Sequence, residues 1–517
     1  MGEEPRRRRA GGRAARVALR QAEPTEDQRA VFPGTPGGMF TPLSESDCES
    51  VLETALDLLE DLGMGGPIPE FVEVVTAAGG WVDDEERLHY PKSVVQGAIA
   101  TAAKSWVWHG IDDDRSIELK DSKVHFGTSG AAVLMFDHVE NDFRPSTLSD
   151  LYDAARLVDT LDNIHFFVRT VVARDMEEAR DLDVNTAYAV MMGTSKPVGT
   201  SFFRPEHVFE TVDMFDAVLG GPGEFRKRPF IVANITFVVP PLRYAEESAQ
   251  CMVAQVKTGM PINLLSAGQA GATSPAALAG SLAQALAECL AALTNVNLMS
   301  PGHPCVMGLW PFVSDLRTGA MSGGSGEEGL LNAAAAQVAN WLGLPSGVAA
   351  GMADSKLPDN QAGYEKGVTV ALAAHAGANL VYESAGMLGS LLGCSLEALV
   401  IDNDMLGSIN RTVRGIDIDE TTLSASVIAD VISGPGHFLG HDQTLGLMQT
   451  EYTYPLIGDR LSPDDWRDAG ARNAREVAHD VVVETLERHY PDHVSKATDD
   501  LVRANHQIHL PQPPSLK

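Results

Sequence analysis

Cysteines are few in this sequence, and none has a partner at a recognisable spacing. The 517 residues include five cysteines, and no CxxC or comparable spacing joins any two of them. A disulfide framework and a thiolate zinc site are therefore not expected, and no tightly bound metal is predicted. Because such cysteine usage is typical of a reducing compartment, the predicted location is cytoplasmic.

Long uncharged apolar runs are also missing, and no signal peptide is expected. We find no uncharged apolar run that approaches the ~20 residues a membrane helix needs, so no membrane partner is expected. The start, "MGEEPRRRRAGGRAARVALRQA", is basic but lacks the apolar core of a signal peptide. Residues 1–40 are predicted to form a basic, flexible arm, either solvated or bound to a neighbouring acidic subunit. The second possibility agrees with a homo-oligomer.

Basic residues are few relative to acidic residues. The chain carries 39 lysines and arginines against 70 aspartates and glutamates, which gives a net charge of −31. Such a surface repels nucleic-acid phosphates, so no nucleic-acid partner is expected. The acidity favours solubility, and adaptation to salt explains it equally well.

Motifs for nucleotide binding and covalent catalysis are not found in the context that they need. No GxGxxG or GxxxxGK[ST] directly follows an apolar run, and neither GxSxG nor HExxH occurs. Local patterns alone therefore assign no reaction to the chain.

What the sequence does contain is a regular alternation of short apolar runs and amphipathic helices, beginning near residue 121. Eight runs occur, at 124–129, 164–170, 197–203, 230–239, 261–267, 305–312, 346–353 and 379–385. Continuous apolar strands that alternate with helices predict a parallel sheet buried on both faces. Eight of them favour an α/β fold of the (β/α)8 TIM-barrel type over 121–411.

The barrel is predicted to have an extension on each side. Residues 41–120 alternate helix and short extended pieces, which indicates an N-terminal α+β cap. One helix there, in 44–63, opens with serine caps and ends at Gly63. Residues 412–517 are helical and acidic and are predicted to form a C-terminal helical extension.

The loop after the sixth run combines several groups suited to binding. It carries Trp310, Phe312, Asp315 and Arg317, then a glycine-rich helix start near Glu327. In TIM barrels the loops at the carboxyl ends of the strands build the active site. The alternatives are that both aromatic residues belong to the core and that Arg317 pairs with Asp315 or Glu327.

The seventh and eighth runs also end in polar groups. The stretch "GVAAGMADSKLPDNQAGYEK" passes from apolar residues through Met352 to Asp354, and "YESAGML" brings Tyr382 and Glu383. Asp354 either faces the barrel mouth or caps the following turn. A carboxylate directly after an apolar strand is costly unless it is paired or functional, so Glu383 is a functional candidate.

Four further titratable residues are interpreted as structural. Asp402 and Asp404 in "VIDNDML" are expected to cap and bridge locally. His125 and His165 have no partners at metal-ligand spacing and are expected to be core histidines rather than ligands.

The same loops make the sequence resemble a known family. "WPFVSDLRTGAMSGGSGE", "GMADSKLPDNQAGYEKG", "AGANLVYESAGML" and "VIDNDML" resemble motifs of the trimethylamine methyltransferase (MttB) superfamily, and the resemblance runs from about residue 40 to near the C-terminus. It implies a TIM barrel that binds a methylated amine in its mouth. It further implies a separate corrinoid (cobalamin) protein that docks over the mouth and accepts the methyl group.

One departure bears on the substrate. The archaeal trimethylamine enzymes of this superfamily carry pyrrolysine just before an aspartate, whereas here the matching positions are Met352 and Asp354. Relatives without pyrrolysine include glycine betaine methyltransferases, so a quaternary, betaine-like amine is predicted. A quaternary ammonium needs no prior activation, because the departing amine is already neutral.

The resemblance also suggests roles for the candidate residues. Met352, Asp354 and Glu383 are the predicted catalytic positions. The predicted substrate-binding residues are Trp310, Phe312, Arg317, Tyr382 and Glu327, with aromatic faces for the cation and Arg317 for a carboxylate. Alternative functions are a trimethylamine, other methylated-amine or sulfonium donor, or a catalytically silent barrel that binds methylamines or scaffolds the corrinoid protein.

Overall fold

The computed structural model describes residues 29, 32–434 and 436–514. Most of the predicted basic arm, 1–40, lies outside the described residues. The remaining chain folds around a central ring of strands, with helices before, between and after them.

Eight parallel strands form the centre within the described ranges. They are β1 (Lys123–Phe126), β2 (Phe167–Val168), β3 (Val198–Thr200), β4 (Ile231–Thr236), β5 (Ile262–Ser266), β6 (Cys305–Leu309), β7 (Ser346–Ala349) and β8 (Leu380–Tyr382). Each strand pairs with the next, and β8 returns to β1. A parallel bridge between Gly127 and Phe166 joins the end of β1 to the start of β2 and closes the ring. The predicted (β/α)8 fold is confirmed. Seven strands fall within their predicted runs, and β1 begins one residue before its run.

Helices surround the ring and extend it on both sides. Before and between the strands run α1 (Glu45–Asp57), α2 (Pro69–Ala77), α3 (Lys92–Thr101), α4 (Leu148–Asp159), α5 (Ala179–Gly193), α6 (Pro205–Leu219), α7 (Glu246–Thr258), α8 (Leu278–Met299), α9 (Gly326–Trp341) and α10 (Asn360–His375). After β8 follow α11 (Leu396–Arg414), α12 (Ala425–Ile432), α13 (Asp442–Leu447), α14 (Pro463–Asp468), α15 (Ala474–Arg488) and α16 (Lys496–Asn505). These include the N-terminal α+β and C-terminal helical extensions of the predicted fold class.

Local sequence explains several helix ends. Ser44 and Asp47 form a capping box at the start of α1, and Thr147 and Asp150 form another at α4. After α1 the chain continues as one π-helical turn over Leu58–Leu62 and ends at Gly63, whose φ is 64°. Glycine adopts this left-handed conformation without the steric cost of a Cβ.

One helix corrects an expectation from the sequence. α8 is long and apolar enough to cross a membrane by length and composition, although no such stretch was expected. The most apolar 18-residue window of α8 is 89% buried in the protein, and the helix carries Glu288 in its middle. Glu288 accepts hydrogen bonds from Leu242 N and Ser266 Oγ, so the helix packs as part of the protein core.

Short strands from the loops cover the carboxyl end of the barrel. Residues after β1 and β8 form a four-stranded sheet from Leu134–Asp137, Asp142–Pro145, Met387–Leu388 and Gly393–Cys394. Residues after β5 and β6 pair as Gln269–Ala270 with Phe312–Val313. The remaining short strands are Thr35–Pro36, which pairs antiparallel to β1, and the hairpins Trp81–Val82 with Leu88–His89 and Trp106–Trp108 with Ile117–Leu119.

Candidate active site at the barrel mouth

Glu383 follows β8 directly and is held in an unusual state. Its side chain is buried, its backbone has φ of 59°, and its Oε2 has no hydrogen-bond partner among the described residues. A left-handed backbone is costly for a residue other than glycine and is commonly retained at functional sites. Burial raises the pKa of Glu383 to about 8, so this carboxyl group gains and loses its proton near physiological pH.

Glu328 is the second buried acid of the site. It stands in the first turn of α9, where Ser325 Oγ caps the helix by accepting from Glu328 N. A capping box would turn the Glu328 carboxylate back to the helix start, but both of its oxygens lack partners in the described structure. Burial raises the pKa of Glu328 well above its ordinary value, and the charges of Glu383 and Asp354 raise it further. The three carboxyl groups are therefore electrostatic neighbours.

Asp354 ties three loops together. Its Oδ1 accepts from Gly323 N at 2.7 Å and from Ser390 Oγ, and its Oδ2 accepts from Ser322 Oγ at 2.7 Å. Its own backbone N donates to Glu365 Oε2 at 2.8 Å. Because these bonds join the loops after β6, β7 and β8, Asp354 positions the walls of the site while its carboxylate is occupied.

Met352 is buried beside this connection. The loop after β6 passes so close that a Cβ on Gly323 would lie 2.7 Å from Met352 Cβ and 3.3 Å from its sulfur. Only glycine therefore fits at position 323 without displacing Met352. The thioether is held between two loops of the barrel mouth.

Aromatic rings form a continuous row in the barrel. The ring centres of Trp310 and Tyr382 are 5.3 Å apart, those of Trp310 and Phe312 are 6.3 Å apart, and Phe166 lies 5.2 Å from Tyr382. All four rings are buried, as the core alternative required. However, Trp310 Nε1 and the Tyr382 hydroxyl have no hydrogen-bond partner in the described structure. Buried Trp and Tyr polar atoms normally find a partner, so these two indicate room for a ligand or water.

Two predicted substrate-binding residues are not brought into this site. The Arg317 side chain is 88% exposed and makes a two-pronged contact with Asp315, with nitrogen–oxygen distances of 2.7 and 3.0 Å. This is the pairing that was considered as the alternative. Glu327 is exposed on the first turn of α9, because one step along a helix rotates a side chain by about 100°. The acid that faces inward is its neighbour, Glu328.

The four residues interpreted as structural make structural contacts, but Asp402 and Asp404 do not cap or bridge locally, because both lie within α11 and bond to residues distant in the chain. Asp402 accepts from Lys366 Nζ at 2.5 Å and from Gly386 N at 2.8 Å, and Asp404 accepts three backbone N–H groups at 456–458. His125 and His165 are buried, bonded to main-chain atoms, and have lowered pKa values because of burial. Both histidines line a cleft of about 1250 Å³ at the amino-terminal end of the barrel, opposite the acids.

One cluster outside the mouth has the composition of a metal site. His138, Glu397 and His479 place one ligand atom each within 4.8 Å of one another. The two imidazole rings are stacked at 4.0 Å with planes 10° apart, so their in-plane lone pairs do not converge on one point. His479 Nδ1 hydrogen-bonds to Glu397, and Arg475 Nε donates to His138 Nδ1. The three side chains therefore form a hydrogen-bonded network beside the Arg475 cation. The absence of a tightly bound metal stays a prediction.

Glu328 is the residue that sequence reasoning missed. The pattern Ser-x-x-Glu at 325–328 is the signature of a capping box, which assigns the glutamate a local role. A signal was nevertheless available, because helical phase places Glu328, Asn332 and Ala335 on the same face as the buried residues of α9. Asn332 also keeps a buried oxygen without a partner in the described ranges.

The fold and site define a (β/α)8 barrel with a buried cluster of acids and aromatic rings at the end where barrel enzymes bind their substrates. The family described as trimethylamine methyltransferase (MTTB) matches residues 9–506, and the chain belongs to this family.

Similar proteins agree with this assignment. The chain is 32% identical to the trimethylamine methyltransferase MttB of Methanosarcina thermophila, over 86% of this chain and 92% of that protein. It is 28% identical to a glycine betaine methyltransferase of Desulfitobacterium hafniense, over 82% of this chain and 88% of that protein. The fold resembles the crystal structure of the Methanosarcina barkeri monomethylamine methyltransferase MtmB, with a TM-score of 0.52, 11% identity and 91% coverage of both chains.

Proposed function

We propose that this protein transfers a methyl group from a quaternary, betaine-like amine to a corrinoid that a partner protein carries. The observation that carries the proposal is the meeting of three carboxyl groups at the carboxyl end of the barrel, where Trp310 and Tyr382 also lie. Two of these acids are buried without partners in the described structure. Unpaired buried acids destabilise a protein unless a ligand compensates for them. A cation of low hydration, such as a quaternary ammonium, is the ligand that this environment favours.

Binding would use two kinds of attraction. The faces of Trp310, Phe312 and Tyr382 can each contribute ~0.5–2 kcal/mol to a desolvated cation. Glu328 and Glu383 add Coulombic attraction once they ionise. Because the acids and rings come from the ends of different strands, the cation would be held by a rigid scaffold rather than by one flexible loop.

The proposed reaction does not require general acid–base catalysis. When the C–N bond of a quaternary ammonium breaks, the electron pair stays on nitrogen and a neutral amine leaves, so no proton has to be supplied. The corrinoid supplies the nucleophile that accepts the methyl group when its carrier protein is docked. The chain's own residues bind the cation, orient the methyl group toward the mouth and exclude water.

The methionine at position 352 agrees with such a donor. Where the superfamily resemblance expects pyrrolysine, the chain has a neutral thioether packed against Gly323. A thioether offers no electrophilic help to a leaving group. A donor that is activated by its own positive charge needs none.

Exposed apolar residues around the mouth support docking of a partner protein. Val139, Phe203, Val239, Leu316 and Leu392 follow five different barrel strands and are 77%, 44%, 54%, 70% and 60% exposed. Apolar side chains that ring a single opening are typical of a protein–protein contact. We propose that the corrinoid protein covers this rim, which places its cofactor over the acids and aromatic rings.

We further propose a location, an assembly and a division into regions for this protein. The protein is expected to be cytoplasmic and to form a homo-oligomer. We also propose the division into an arm (1–40), a cap (41–120), the barrel (121–411) and a helical extension (412–517).

The test is methyl transfer with purified components. The protein, a reduced corrinoid carrier and one candidate donor are mixed, and methylation of the carrier's corrinoid is followed by absorbance. We expect transfer from glycine betaine or another quaternary amine. Transfer from trimethylamine alone would replace the proposed donor, and transfer from no methylated amine or sulfonium would refute the enzymatic function.

Neighbouring residues offer a matched control. Glu328→Gln removes a buried ionisable group from the site, whereas Glu327→Gln removes an exposed one at the neighbouring position. We expect Glu328→Gln to reduce kcat/KM for the quaternary donor by at least tenfold, and Glu327→Gln to leave it within about twofold. Equal behaviour of the two variants would contradict a role for Glu328 in cation binding.

A further inference from the structure

Arg169 is a cation at the barrel mouth that has no partner among the described residues. It follows β2 directly, and its backbone N donates to Gly199 O at 3.1 Å, which fixes it to the neighbouring strand β3. Its side chain is half-buried, and within the described residues its guanidinium makes no hydrogen bond and no ion pair. Burial lowers the pKa of Arg169 to about 10, so the group is still charged at neutral pH.

The nearest acid does not satisfy this cation. Asp183 on α5 interacts with Arg169 electrostatically, which partly offsets the effect of burial on the arginine. However, Asp183 Oδ2 accepts from Phe203 N at 2.8 Å and contacts His207 Nδ1 at 2.7 Å. Asp183 Oδ1 is buried without a partner in the described structure and does not reach the guanidinium. The five N–H donors of Arg169 are therefore available to an anion.

The position of Arg169 in the ring is complementary to that of the acids. Glu328, Asp354 and Glu383 follow β6, β7 and β8, and the ring continues from β8 through β1 to β2. β2 is thus four steps from β6 and stands across the barrel from it. In TIM barrels one substrate is contacted by residues from the carboxyl ends of several different strands, so both walls can contact the same molecule. The mouth has acids on one side and an unpaired guanidinium on the other.

We propose that Arg169 binds a carboxylate of the methyl donor, so that the donor class is a small zwitterion with a quaternary ammonium and a carboxylate. This inference rests on the proposed function. Guanidinium and carboxylate match in planar, two-pronged geometry, and such charge-assisted bonds are among the strongest hydrogen bonds in proteins. Arg169 takes the role that the sequence suggested for Arg317, which is already paired with Asp315.

The experiment compares two donors that differ in the carboxylate. Glycine betaine and choline share the trimethylammonium group, but choline carries a hydroxyl where glycine betaine carries a carboxylate. Methyl transfer to the corrinoid carrier and direct calorimetric binding are measured for wild type, Arg169→Gln, Arg169→Lys and Arg317→Gln. Thermal unfolding of each variant shows whether it is folded.

We expect the wild type to prefer glycine betaine, and Arg169→Gln to lose ~10- to 100-fold in kcat/KM and affinity for it. Choline should change by less than about threefold. The activity of Arg169→Lys with glycine betaine should lie between those of wild type and Arg169→Gln, because lysine keeps the charge but lacks the planar, two-pronged guanidinium. Arg317→Gln should match wild type with both donors.

Several results would overturn the proposal. Equal losses on both donors would make Arg169 a structural partner of Asp183, and unchanged values would remove it from the site. A wild type that treats glycine betaine and choline alike would overturn it without any variant, even if Arg169→Gln does not fold. If no donor is demethylated, the proposed function fails. Arg169-dependent binding of glycine betaine would then still establish the carboxylate subsite, and its absence would reject that subsite too.

Discussion

Replacing Glu383 by glutamine should stabilise the protein, and increasingly so as the pH rises. Glutamine has nearly the shape of the protonated carboxyl group but cannot ionise. The Glu383 side chain is buried with one oxygen lacking a partner in the described structure, so its charged form is held at a cost that Glu383→Gln removes. The same variant should bind a quaternary ammonium more weakly.

The magnitude follows from the pKa of Glu383, which burial raises from 4.5 to about 8. Between these values the unfolded chain has released a proton that the folded protein keeps, so stability falls by about 1.4 kcal/mol for each pH unit. Above about pH 8 both states are ionised and the penalty is constant at about 5 kcal/mol. Glu383→Gln lacks this penalty. Its free energy of unfolding should therefore exceed that of wild type by an amount that grows from pH 5 to pH 8 and is constant above pH 8.

Thermal unfolding of wild type and Glu383→Gln at several pH values between 5 and 9 measures this difference. The two melting temperatures should diverge by several degrees up to about pH 8 and then run parallel. A difference that does not vary with pH would refute the reasoning, because it would mean that Glu383 is not protonated in the folded state. Glu327→Gln is the control, since an exposed glutamate should show no such divergence.

Three further predictions concern the same site. Binding of a quaternary ammonium should tighten as pH rises through about 8, because Glu383 becomes charged, and binding below that pH should release protons. Calorimetry in buffers of different ionisation enthalpy measures this proton release. Asp354→Asn removes one acceptor of a three-loop connection and should cost ~1–3 kcal/mol of stability, measured by thermal unfolding. It should also lower kcat. An unchanged kcat would mean that the three loops keep their positions without this acceptor. Gly323→Ala places a Cβ 2.7 Å from Met352 Cβ and should cost ~1–3 kcal/mol of stability, whereas Gly326→Ala, in open space, should not.

The barrel was predictable because its signal is repeated along the chain. Each of the eight strands is a short apolar run followed by a helix, and burial on both faces of a parallel sheet requires that pattern. The strands themselves are shorter than the runs, as at 164–170, where only Phe167–Val168 is extended. The remaining residues of such a run are buried loop, which composition does not distinguish from strand.

The sequence predicts a site residue only where the order of the strands alone brings its side chain to the barrel mouth. Glu383 follows β8 directly and Asp354 comes a few residues after β7, so the topology alone brings them to the barrel mouth. Arg317 and Glu327 lie further from their strand, where a turn and a helix rotate side chains into solvent. Arg169 also follows its strand directly, but an arginine after an apolar run gives no sign of whether it will find a partner. Pairing depends on tertiary contacts, and here the nearest acid is engaged by His207.

The energetic character of the mouth favours a binding site over a silent scaffold. A protein that only supports a partner gains nothing from burying Glu328 and Glu383 without hydrogen bonds, or from holding Glu383 in a left-handed backbone conformation. These features each cost of order 1–3 kcal/mol or more, while the rest of the fold satisfies local rules such as the caps of α1 and α4. Departures of this kind concentrate where function compensates for them. A cationic ligand would compensate the charge of the ionised acids and recover that cost, which ties ligand binding at the mouth to the stability of the barrel.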